Sequence, residues 1–191
     1  MRWAATIAAV LAASPALSDV FIDYGQLFLD KADQVTEQIR DDGVVTRELS
    51  LEPGITIMQT IEPDKAAEHV AMDMSEGGAV GCLLMIQVEL RAMLAGCPGS
   101  FPGVDPEGLD TQIAAVSRFV AENAYPPMPL TEVQRFIDRR LDAGPGLECP
   151  AAADVDPDLR EMMAAMSGPE AELWVKESLE TPRLPVMNPC L

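Results

Sequence analysis

AVGCLLMIQVELRAMLAGC, residues 79–97, is the most apolar stretch of the chain beyond its N-terminal segment, and a cysteine stands near each end of it. Val80, Leu83, Leu84, Gln87, Leu90, Arg91 and Leu94 recur at spacings of three and four, while Met85, Ile86, Val88 and Met93 make the other faces apolar too. That pattern predicts a helix surrounded by neighbours, on which the rest of the chain packs. A membrane span needs roughly 18 or more apolar residues with few charges. Gln87, Glu89 and Arg91 interrupt this run, so no span is expected.

A helix over 80–95, rising about 1.5 Å per residue, holds Cys82 and Cys97 on the order of 20 Å apart, whereas bridged cysteines need Cα atoms within about 7 Å. Each must therefore pair with Cys149 or Cys190, which cuts three connectivities to two. Consecutive helices joined by short links run antiparallel. The helix over 80–95 and the one expected from residue 132 then finish at the same end, with Cys97 and Cys149 just beyond them. The expected pairs are Cys97 with Cys149 and Cys82 with Cys190, each worth up to roughly 4 to 5 kcal/mol in the chain-entropy model before strain.

The N-terminal segment has a basic start at Met1 and Arg2, an apolar run from Trp3 to Ala13 and a small-residue site at Pro15-Ala16-Leu17-Ser18. This predicts an export signal over 1–18, cut before Asp19, and a periplasmic or secreted protein. In such a compartment four cysteines are structural disulfides more often than metal ligands or catalytic thiols, and no CxxC pair is present. The charge is strongly acidic, with 13 Lys and Arg against 31 Asp and Glu and a formal net charge of −18. Loss of Arg2 with the signal makes it one unit more negative. Nucleic acid and anionic membrane surfaces, which call for basic patches, are excluded as partners, while a basic protein or a cation is permitted.

Outward from the central stretch, Phe21, Tyr24, Phe28, Val35 and Ile39 predict an amphipathic helix over 20–42, stopped at Gly43. The period then changes to two: Val45, Arg47, Leu49 and Leu51, then Ile55, Ile57, Gln59 and Ile61 across Glu52-Pro53-Gly54 predict a β-hairpin at 44–61. Pro-Gly suggests a type II turn or a longer loop. A short helix is expected from Pro63 to about Met74, another from Asp105-Pro106 or Asp110 until Tyr125-Pro126, and one over 132–143 opened by a capping box at Thr131 and Gln134. Helices over 157–167 and 169–179 precede an extended tail, 180–191, rich in proline. The expected fold is one domain over 19–191, mainly α, with five to seven helices and a small β-hairpin packed on them (α+β), stabilised by disulfides.

Three constellations bear on chemistry. Asp154, Asp156 and Asp158 alternate as at the start of an EF-hand loop, but Leu159 and Ala165 stand where that loop needs glycine and glutamate, so Asp156 is instead expected to cap a helix at Pro157. Met162, Met163 and Met166 form one soft-ligand group at helical spacing, and His69, Met72 and Met74 another, although methionine at such positions is usually packing. His69, the only histidine, is expected on a helix beside Glu68, half-buried or at the surface; GxSxG, HExxH and a phosphate-binding glycine loop are absent. No catalytic, cofactor-binding or metal residue is nominated. The expectation is an exported non-catalytic protein that binds another protein or a small ligand through a groove or the hairpin edge. A Cu(I)-type carrier using the methionines is the alternative, and a hydrolase built on two carboxylates is third.

Overall fold

The computed structural model of the chain describes residues 20–144, 146 and 148–190; the expected signal at 1–18 lies outside them. Helix α1 spans Tyr24–Asp30 and is capped by Asp23, whose carboxylate accepts the Gln26 N–H at 2.9 Å. A 3-10 turn at Ala32–Gln34 then leads into strand β1, Val35–Ile39. The single helix expected over 20–42 is thus corrected to half helix and half strand. Val35 and Ile39 lie four residues apart, a spacing that shares one face in a helix and, being even, one face in a strand. Their β-branched side chains and a partner strand decide for the latter.

Gly43, expected as a helix stop, closes a hairpin instead. Its N–H donates to Arg40 O and the Arg40 N–H to Val44 O, each at 2.9 Å, with Gly43 at φ +82°. This is the type I turn with a bulge in which glycine takes the left-handed position. Strands β2 (Val45–Leu51), β3 (Ile55–Ile61) and β4 (Glu68–Asp73) complete a four-stranded antiparallel sheet of order β1-β2-β3-β4. The expected hairpin is its middle pair, and the fold is mixed α+β rather than mainly α. The turn between β2 and β3 carries a cis Glu52–Pro53 bond in place of type II geometry.

The helix expected from Pro63 to Met74 is likewise corrected to β4. Asp64 sits at φ +63°, which a right-handed helix does not allow, and from there His69, Ala71 and Asp73 alternate with the exposed Glu68, Val70 and Met72. Alanine, glutamate and methionine favour helix locally, but pairing with β3 overrides that preference.

Five more helices follow: α2 (Val80–Gly96), α3 (Pro106–Asn123), α4 (Leu130–Asp142), α5 (Pro157–Ser167) and α6 (Pro169–Ser178). The first of these is buried on most of its faces and packs against α3 and α4, while α5 and α6 pack on α3. Asp105 and Asp156 cap α3 and α5, each with proline as the first helical residue. The capping box expected at Thr131 does not form, because α4 already starts at Leu130, after Pro129, and puts Thr131 inside the first turn. Leu49, Ile55, Ile57 and Ala71 of the sheet join Val80, Leu84 and Val88 of α2 and Val116 and Val120 of α3 in one core. A smaller core gathers Leu90, Cys97, Phe101, Leu109, Val155 and Met163 toward the other end of α2.

Two disulfides tie this arrangement. Cys97 is bonded to Cys149 with Cα atoms 5.2 Å apart, and Cys82 to Cys190 with Cα atoms 5.3 Å apart. The tail runs against the start of α2, where the Gly81 N–H donates to Val186 O at 3.0 Å. A Cβ on Gly81 would lie 2.4 Å from Pro185 O, so only glycine admits the tail this closely.

Arg183 in that tail forms a buried ion pair with Asp73 at the end of β4, Nε to Oδ2 at 2.7 Å, with side-chain exposures of 1% and 0%. Removing one member of such a pair leaves an uncompensated buried charge. Arg183→Ala is therefore expected to lower the unfolding free energy by about 3 to 5 kcal/mol, measured by urea denaturation with the disulfides intact. An unchanged midpoint would show that the pair contributes nothing net.

Candidate functional site

The register of the four strands brings Glu37, Arg47, Gln59 and His69 side by side on the face that meets the helices. One pair of residues nearer the core, the neighbouring row is Val35, Leu49, Ile57 and Ala71, of which the last three are fully buried. On the other side the row is Ile39, Val45 and Ile61, with Ile39 71% exposed. Burial falls along the strands, and the polar row stands where helical cover gives out.

The row is joined by side-chain bonds from edge to edge. Arg47 Nε donates to Glu37 Oε2 at 2.7 Å, Arg47 Nη1 donates to Gln59 Oε1 at 3.4 Å, and Gln59 Nε2 lies 2.9 Å from His69 Nε2. Arginine can only donate, so the Gln59 oxygen must face it and the Gln59 NH2 must face His69. In the neutral ring the amide then donates to His69 Nε2, and the ring proton is left to Nδ1. The imidazole stacks on Tyr24 of α1, with centroids 4.9 Å apart and planes at 14°, and Phe28 lies 6.1 Å away.

Beside His69 an open cleft of about 580 Å³ is lined by Tyr24, Tyr125, Met128, Asp23 and Glu132 among others. Tyr125 also borders a second cleft, of about 660 Å³, with Lys31, Glu52, Asn123 and Arg183. Between α1 and this region the Tyr125 hydroxyl donates to Asp30 Oδ2 at 2.5 Å. That bond, with a second from Gln26, holds the Asp30 carboxyl below its ordinary value, and the same carboxylate raises the Tyr125 phenol.

The two edges of the sheet differ. The tail meets β4 only at that strand's last residues, with a parallel bridge between Met72 and Asn188 and the Asp73 N–H donating to Asn188 O at 2.7 Å. No strand among the described residues pairs with the outer edge of β1, and residues 36–39 are exposed. Because Arg40 bonds Val44, antiparallel alternation directs Gln38 and Thr36 to β2 and turns the N–H and C=O groups of Glu37 and Ile39 outward.

The residues singled out from sequence fall differently. His69 is half-buried but on a strand, and alternation sends it to the opposite face from Met72 and Met74, so that soft-ligand group does not converge. Met163 is fully buried in the smaller core and Met166 packs against it, while Met162 is half exposed. Among the described residues no group of three or more His, Cys, Asp and Glu side chains is placed to hold a metal. Glu37, Arg47, Gln59 and Tyr24 were not nominated. The alternation that sets Glu37, Arg47 and Gln59 in one row with His69 was the available signal, hidden while 20–42 and 63–74 read as helices.

Two measurements check this geometry. A long-range proton–nitrogen spectrum of the neutral ring should show His69 protonated at Nδ1 and bare at Nε2; the reverse tautomer would break the donor order of the row. The depressed Asp30 contributes stability present above the ordinary carboxylate range and lost as pH falls through its folded value, and the raised Tyr125 contributes stability lost as pH rises through its own. Tyr125→Phe should move the Asp30 carboxyl titration upward and flatten the acid limb.

No family model, curated protein or solved structure matches this chain, and its function rests on the geometry of its own residues.

Proposed function

We propose that this protein is an exported, non-catalytic binding protein that takes up an extended segment of another polypeptide as an added strand on β1. The observation that carries the reading is the open edge of β1, where residues 36–39 are exposed and the N–H and C=O groups of Glu37 and Ile39 turn outward with no strand among the described residues beside them. Strand addition draws its affinity from such main-chain groups and its specificity from the alternating side chains beside them.

The composition of the strand supports this use. Edge strands are kept unpaired by lysine, by proline, by bulges or by charges that point inward. Val35-Thr36-Glu37-Gln38-Ile39 has no lysine, proline or bulge, and its one charge, Glu37, is held by Arg47 through a single oxygen and stays 41% exposed. Two disulfides agree with an oxidising compartment, as does the leader pattern over 1–18.

Proline at position 39 would remove an outward N–H and leave the β1–β2 ladder intact, since proline is tolerated at edge positions that do not donate inward. Capture of proteins by the mature, disulfide-bonded chain from its exported fraction should yield a partner that Ile39→Pro no longer retains, with circular dichroism unchanged. A partner retained equally by the folded variant would place binding elsewhere and sink the reading.

A further inference from the structure

The register around β1 also says what kind of strand the edge would take, provided that strand addition there is correct. We propose that the partner is an antiparallel segment with lysine or arginine opposite Glu37 and apolar residues two positions away on either side, opposite Val35 and Ile39.

Antiparallel pairing sets side chains of facing residues next to one another on the same side of the sheet. A strand added to β1 therefore meets Val35, Glu37 and Ile39 on the inner face and Thr36 and Gln38 on the outer one. The outer pair is uncharged and sets no demand of charge. On the inner face, Glu37 accepts from Arg47 through Oε2 alone and keeps 41% of its side chain exposed. A basic side chain across from it would reach the second carboxylate oxygen and extend the row of Glu37, Arg47, Gln59 and His69 by one alternating charge. An apolar residue across from Ile39 would cover a side chain that is 71% exposed and lengthen the row Ile39, Val45 and Ile61.

The net charge of −18 favours the same partner at longer range. It also disfavours the simplest competitor, a second copy of this chain. Two β1 strands paired antiparallel about residue 37 would set glutamate against glutamate, a destabilising pair, between two strongly acidic molecules.

The test uses the mature, disulfide-bonded protein and two short synthetic peptides of alternating threonine and valine, identical except for one central residue, lysine in one and glutamate in the other. In fluorescence anisotropy the lysine peptide should bind about fivefold more tightly, from the change of an opposite-charge to a like-charge cross-strand pair. Glu37→Gln should narrow the difference towards what the net charge alone supplies, Glu37→Lys should narrow it further, and Ile39→Pro should remove binding of both. A difference unchanged in both Glu37 variants would overturn the pairing with Glu37. Equal binding of the two peptides, still lost in Ile39→Pro, would overturn the basic preference and leave strand addition standing. Binding of neither, or binding that survives Ile39→Pro, would overturn strand addition itself. Self-association abolished by Ile39→Pro would identify the second copy as the occupant and overturn the proposal.

Discussion

The position of the tail, the end of β4 and the entry to α2 all follow from one buried charge. Taking a guanidinium and a carboxylate out of water costs several kcal/mol per ion unless geometry satisfies both. Arg183 meets that demand with four of its five N–H groups: Nε binds Asp73, Nη1 donates to Ser178 O and Thr181 O, Nη2 donates to Gly78 O, and the cation lies 5.7 Å from the Phe119 ring centroid. Asp73 spends its other oxygen on the Ser75 N–H at 2.8 Å. Four separate segments are thereby held to one point, the end of β4, the loop after it, the end of α6 and the tail. Even the neighbouring glycine is dictated, since a Cβ on Gly77 would stand 2.3 Å from the guanidinium.

What the ion pair begins, the tail carries on. Beyond Arg183 the chain passes Gly81, bridges β4 at Asn188 and is bonded through Cys190 to Cys82 in the first turns of α2. The disulfide and the ion pair grip the tail near its two ends, so the segment between them has little freedom to leave the sheet. The tail's contact with the end of β4 is thus a consequence of buried electrostatics and a covalent link rather than of strand propensity, which a segment with Pro182, Pro185 and Pro189 lacks.

Much of the helical layer was legible in sequence because its signals are local. Proline at the first helical residue after aspartate marks α3 and α5, and apolar periodicity marks α2. The middle strands were legible for the same reason, since their alternation runs unbroken. The outer strands were not. Four-residue spacing at Val35 and Ile39 fits helix and strand alike, and half of β4 (Glu68, Ala71 and Met72) consists of helix formers, while its inward Asp73 answers to an arginine 110 positions away. The candidate site was lost with them, because the row from Glu37 to His69 exists only once all four strands are in register.

That row also explains how a small sheet can extend past its helices. An apolar inner face left without cover would invite collapse or aggregation, and a set of unpaired polar groups at the margin would be costly to half-bury. Donor-to-acceptor continuity from Arg47 through Gln59 to His69 satisfies the margin from within the sheet, and the ring stack with Tyr24 seals its β4 end. At the β1 end the series stops on a carboxylate with an oxygen to spare. The edge is then unlike one guarded by lysine, which repels basic and self-like strands indiscriminately. An acidic edge on an acidic protein repels its own copies, and under the strand addition proposed above the same charge would select a basic partner.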